Sequence, residues 1–155
     1  MQPPSWWAAL AFATMAATSV HAKERAARDL PALPQYVREC GSCHVPYPPR
    51  LLPAASWRAL MGRLAAHFGS DASLDEATAQ AIGAWLEANA ASGKRAATPP
   101  PENRITRSSR FLHKHGEIAP SAWRRPSIHS PSNCAACHPA AEKGAFNEHD
   151  VRVPR

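Results

Sequence analysis

The stretches CGSCH, Cys40 to His44, and CAACH, Cys134 to His138, contain all four cysteines of the chain. Each sets two thiols three positions apart and places a histidine directly after the second. Thiols at this spacing serve redox disulfides, zinc sites and covalent haem alike. Zinc-finger spacing keeps the histidines in a pair of their own, and a thioredoxin-like motif needs a strand–helix context. A disulfide framework gives the trailing histidines no role, although histidine makes up only 8 of 155 residues. Cys-x-x-Cys-His is the pattern of c-type haem attachment. Both thiols can reach the vinyl groups on one porphyrin edge and form thioethers, and the next histidine gives the iron its proximal nitrogen. The expected cofactors are two covalently attached haem c groups. Cys40, Cys43 and His44 hold the first, and Cys134, Cys137 and His138 the second.

One coordination position on each iron then decides the chemistry. Left open, it binds oxygen, peroxide or nitric oxide; filled by a side chain, it favours outer-sphere electron transfer. Beyond residue 22 the chain has one methionine, Met61, so at most one iron is His/Met. Five further histidines remain: His67, His113, His115, His129 and His149. At helical spacing His67 lies beside Leu60 on the edge of an apolar stripe. His115 shares a face with Phe111 and Leu112. These two are the expected distal ligands, so the iron ligands are His44, His67, His115 and His138. His113 falls on the polar side, His129 is the reserve, and His149 sits in an acidic tail. Met61 reads as a core residue. Chain proximity pairs His67 with the first haem and His115 with the second, and a crossed arrangement stays open.

The elements that must position these groups read as short helices joined by proline-rich loops. The fold class is mainly α: a small single domain around two haems. Sixteen prolines and no sustained alternation argue against sheet. PQYVRECGSCH predicts a first helix carrying the first motif, with Pro34 early in it. AASWRALMGRLAAHFG predicts a second, with Trp57, Leu60, Met61, Leu64 and Phe68 on one face and Gly69 at its end. LDEATAQAIGAWLEANAA predicts a third, with a capping box of Ser73 and Glu76 and closure at Gly93. Residues 93–103 compose a linker between a haem 1 half, about 33–92, and a haem 2 half, about 104–155. Beyond it SSRFLHKHGEI predicts a helix capped by Ser108 or Ser109. SPSNCAACHPAAEKGAF predicts a last helix carrying the second motif, capped by Ser130.

The first 22 residues have a different character. WWAALAFATMAATSV is apolar or small throughout, and VHA precedes the first charge, so a secretory signal cleaved after Ala22 is expected. The apolar run is shorter than the ~20 residues of a membrane span. Residues 23–155 then form one exported domain, located in the periplasm, and keep the whole net charge of +6. Export makes nucleic acid a poor partner for this basic surface. An acidic partner protein, steered by charge, suits it better.

YVRECGSCHVPYPPRLLPAASWRALMGRLAAHFG, RITRSSRFLHKHGEI and NCAACHPAAEKGAF together resemble the small bacterial dihaem cytochrome c family, often called DHC. The resemblance spans most of residues 36–155, long loops included. It implies a soluble periplasmic electron carrier with two bis-histidine haems, His67 and His115 being the distal ligands. It also implies redox partners such as a monohaem cytochrome c of the SHP type and a membrane cytochrome b. Arg110 departs from the large aromatic expected before Phe111. The expected function is single-electron relay by a non-enzyme, monomeric and without a substrate. A peroxidase-like haem enzyme and a gas-binding sensor are the alternatives, and each needs an open or labile axial position.

Overall fold

In a computed structural model, residues 32–96 and 98–155 of the chain are described. The export signal expected over residues 1–22 lies outside them, as do residues 23–31. Four α-helices occur among the described residues: α1 Pro34–Cys40, α2 Ala54–Met61, α3 Glu76–Ala88 and α4 Ser109–Lys114. Short 3₁₀ turns join them, and among the described residues the only pairing of strand type is two isolated bridges. Among the described residues no helix is long and apolar enough to cross a membrane.

Pro34 opens α1, where its missing N–H costs nothing. The helix stops at Cys40 instead of running on to His44. Gly41 makes this turn, donating from its N–H to Val37 O at 2.9 Å. A Cβ at Gly41 would sit 2.2 Å from Val37 O, so no other residue fits there without a shift.

The second helix also ends sooner than its apolar spacing predicts. Its periodicity continues to Phe68, but Gly62 ends α2 and Arg63 leaves helical geometry at φ −136°, ψ 32°. Glycine in a helix interior costs about 1 kcal/mol relative to alanine. A 3₁₀ turn, Leu64–Ala66, follows and delivers His67 into a tight turn rather than onto a helix face. At α3 the cap is Asp75, which accepts from Thr78 N–H at 3.0 Å. The predicted Ser73 capping box is not made, because the cap falls at the residue directly before the helix. Asn89 closes α3, four residues short of Gly93, and its side-chain amide donates to Trp85 O at 2.8 Å.

These helices pack a core of Tyr36, Leu52, Trp57, Ile82 and Leu86, with Leu60, Met61 and Trp85 against it. Trp57 also donates its indole N–H to Pro49 O at 2.7 Å, pinning the proline-rich loop after the first motif.

Ser108 caps α4 by accepting from Phe111 N–H at 3.2 Å. Phe111 and His115 share a face as expected, but Leu112 points outward, 58% exposed. The second motif is not on an α-helix. Cys134–Ala136 form a 3₁₀ turn. Pro139 offers no N–H and biases His138 away from helical geometry, which blocks continuation. Ser130 accepts from Ser132 N–H in a local turn and caps no α-helix.

Candidate haem sites

The fold gathers the histidines into two pairs. His44 follows the α1 turn and faces the His67 turn, with ring centres 6.2 Å apart and planes at 24°. His115, just past α4, faces His138, with ring centres 6.1 Å apart and planes at 67°. Two imidazoles on opposite sides of one metal, at about 2.0–2.1 Å per bond, have ring centres about 6.3–6.5 Å apart. An imidazole–imidazole hydrogen bond would bring the ring centres about an ångström closer. Both separations therefore leave room for one iron between the rings. His113, His129 and His149 are exposed and make no ring contact in either pair.

Nitrogen partners support the same reading. His44 Nδ1 lies 2.7 Å from Val45 O, and His115 Nδ1 lies 2.9 Å from Phe111 O. A backbone carbonyl at one nitrogen fixes the tautomer and leaves the other nitrogen for metal. His67 and His138 each bury Nδ1 without a hydrogen-bond partner. Burial, and then the facing histidine, lowers the pKa of both below the usual value, so each is held as the neutral imidazole a metal requires.

No disulfide joins any two of the four cysteines. Burial pushes Cys40 and Cys134 up to about 11, and raises Cys137 as well. Redox-active Cys-x-x-Cys thiols have the opposite character, a depressed pKa in an electropositive setting. Zinc is disfavoured too: no group of three or more His, Cys, Asp or Glu side chains comes together at metal-holding geometry among the described residues. Both donor sets fit haem, with two thiols and a motif histidine on one side and a second histidine opposite.

The walls suit a flat apolar ring. A cleft opens at His115 and His138. Phe111, Trp123, Ile128 and Phe146 line it. Phe111 stacks on His115 at 4.0 Å, and Phe146 meets His138 edge-on at 5.3 Å. Arg110 lies at this cleft beside Lys114, so the departure noted there adds a cation to its wall. The C-terminal tail returns to the motif, with Arg152 N–H donating to Cys137 O at 2.9 Å.

Sequence reasoning missed Tyr47. Its ring stacks on His44 at 4.7 Å and 17°, and its hydroxyl donates to Ser132 O at 2.8 Å, two residues before Cys134. Arg50 makes a parallel tie to Gly144 O at 3.0 Å. The loop after the first motif is thus a strut to the second. The available signal was an aromatic residue three positions past His44.

The sequence pattern of the dihaem cytochrome c family matches residues 36–146. No functionally curated protein matches the chain. Among solved structures, the chain is similar to a dihaem cytochrome type c from Shewanella baltica OS155. The two are 40% identical with a TM-score of 0.70, over 81% of this chain and 95% of that one. It is similar also to DHC purified from Rhodobacter sphaeroides, at 44% identity and a TM-score of 0.64, over 76% of this chain and 99% of that one. A second structure of the Rhodobacter sphaeroides dihaem cytochrome c gives 44% and 0.66, over 74% and 97%. The chain therefore belongs to the dihaem cytochrome c family, whose members carry two covalently bound haem c groups.

Proposed function

We propose that the protein is a periplasmic electron carrier in which both irons are bis-histidine ligated, His44 with His67 and His138 with His115. The observation that carries this reading is the pair of ring separations, 6.2 and 6.1 Å. When bound, each haem supplies an iron that changes oxidation state by one electron. The chain's own part is to hold the axial nitrogens at fixed positions. Backbone carbonyls orient His44 and His115, and the Tyr47 and Phe111 rings pack against them. Such anchoring keeps the ligand geometry alike in both oxidation states.

Met61 supports the same assignment by its place. It packs against the α1–α3 core, beside Gly83. With a histidine facing each motif histidine, neither site keeps a position for substrate, so the carrier is not an enzyme. The redox partners follow the family resemblance: a membrane cytochrome b as donor and an SHP-type monohaem cytochrome c as acceptor.

Visible spectra of the haem-loaded protein test the ligands. The parent should be six-coordinate and low-spin, and its ferrous form should resist carbon monoxide. His67→Ala should open the first site and His115→Ala the second, each becoming partly high-spin and binding carbon monoxide. His113→Ala should leave both spectra unchanged. A ligand variant that stays fully low-spin and refuses carbon monoxide would overturn its assignment.

A further inference from the structure

We propose that Glu102 and Arg104 are positioning residues that hold His67 in place through Phe68. The proposal rests on the reading of His67 as an axial ligand and adds what keeps it there.

His44 and His115 are oriented by backbone carbonyls, but His67 Nδ1 is buried without a partner. Metal-binding histidines are ordinarily oriented through that second nitrogen, so something else must fix this ring. The immediate frame is a tight turn in which His67 and Ser70 exchange backbone hydrogen bonds of 2.8 and 3.1 Å. Within it Phe68 lies edge-on to the His67 ring at 4.9 Å. Phe68 has φ +51°, the left-handed region that bulky residues rarely enter. Such a conformation persists only where its surroundings over-determine it.

Arg104 supplies the constraint. Its guanidinium carbon lies 4.2 Å from the centre of the Phe68 ring, a cation–π contact. Glu102 aims that guanidinium, accepting from Arg104 Nε at 2.9 Å while its other oxygen accepts from Arg107 at 2.6 Å. Glu102 and Asn103 are themselves left-handed, both at φ +56°. Their turn is closed by Asn103 N–H to Pro100 O at 2.9 Å and Arg104 N–H to Pro101 O at 3.1 Å. Two strained turns, some thirty-five residues apart in sequence, meet at one ring. Glu102 holds Arg104, Arg104 covers Phe68, and Phe68 backs His67. The end of the inter-half linker thereby controls an axial ligand of the first site.

The test is the rate at which the ferrous, haem-loaded full chain captures carbon monoxide, a rate limited by release of His67. An exposed cation–π contact is weak, so its loss should raise the population of released His67 roughly two- to fivefold. Arg104→Gln and Glu102→Gln should each speed capture by that factor, and Arg104→Lys, which keeps a cation over the ring, should restore most of the parent rate. Raising salt on the unmodified protein should give the same direction, because exposed ion pairs are screened; this arm survives even if a variant folds poorly. In a His67→Ala background, Arg104→Gln should change nothing further. If His67→Ala fails to admit carbon monoxide, the ligand assignment is wrong. If it admits carbon monoxide while Arg104→Gln, Glu102→Gln and salt all leave the parent rate unaltered, the positioning role is overturned.

Discussion

The two histidine pairs differ in twist, and the difference should be visible in the ferric electron paramagnetic resonance spectrum. Each axial imidazole donates π density into an iron d orbital lying across its own plane. Two ligands with parallel planes load the same orbital and split the near-degenerate pair strongly; perpendicular planes load both and cancel. For two equal ligands the net in-plane anisotropy scales as the cosine of the angle between their planes. At 24° and 67° the factors are about 0.91 and 0.39, so the first site should have roughly 2.3 times the rhombic splitting of the second. The first should give an ordinary rhombic low-spin signal, and the second a highly anisotropic one with its largest g value shifted upward.

A frozen-solution spectrum at low temperature should therefore resolve two low-spin species in equal amounts. His115→Ala should remove the highly anisotropic signal and spare the rhombic one, while His67→Ala should do the reverse. A single signal integrating to two irons would refute the reasoning. So would loss of the rhombic signal in His115→Ala, which would mean that the histidines are paired across the sites.

Both haems should titrate well below the range of His/Met cytochromes c, and Met61→Leu should leave both potentials and both spectra in place, as read by spectroelectrochemistry; a methionine–iron absorption band would contradict this. Trp57→Phe removes a buried 2.7 Å hydrogen bond to Pro49 O and should cost about 1–3 kcal/mol in denaturant unfolding, against a reading of less than about 0.5 if the bond is idle. Lys114 holds the Glu148 carboxyl below its ordinary 4.5, so the contribution of this pair is full above that value and is lost as pH falls through the depressed one. Glu148→Gln should flatten that acid limb in a pH series of melting temperatures, and an unchanged slope would argue against the pair.

The cysteine motifs and the helical class were legible because each rests on residue type and local spacing. Helix lengths were not, and the errors share a cause. An apolar stripe from Trp57 to Phe68 satisfies helical spacing throughout, yet Gly62 breaks α2 and His67 emerges from a turn. Periodicity reports which side chains face inward; it is blind to a backbone that leaves the helix and returns with the same face buried. Around Cys134 the serine and proline that suggested a helix start serve a turn, and Pro139 prevents the helix from growing. Arg104 over Phe68 and Tyr47 against Ser132 join positions far apart in sequence. No local pattern carries contacts of that kind.

The two halves should also differ in how far they depend on cofactor. Tyr36, Leu52, Trp57, Ile82 and Leu86 bury one another around α1, α2 and α3, with Cys40 and Tyr47 of the first site packed against them. In the second half the only buried hydrophobic residues are Ala122, Ile128 and Ala141. Cohesion there comes from backbone ties: Arg125 to Pro154 O at 2.6 Å, Arg152 N–H to Cys137 O, and the Tyr47 and Arg50 struts from the first half. Hydrogen bonds of this partly exposed kind contribute only about 0.5–1.5 kcal/mol each, too little to order some fifty residues. Its large apolar side chains, Phe111, Trp123 and Phe146, face the cleft and depend on what fills it. In haem-free protein, amide exchange should therefore be slowest in α3 and essentially unprotected from Ser109 to Phe146, rather than uniformly fast. Equal protection of α4 and α3 without haem would show that the second half has a core of its own, and would remove the reason to treat its cofactor as part of its fold.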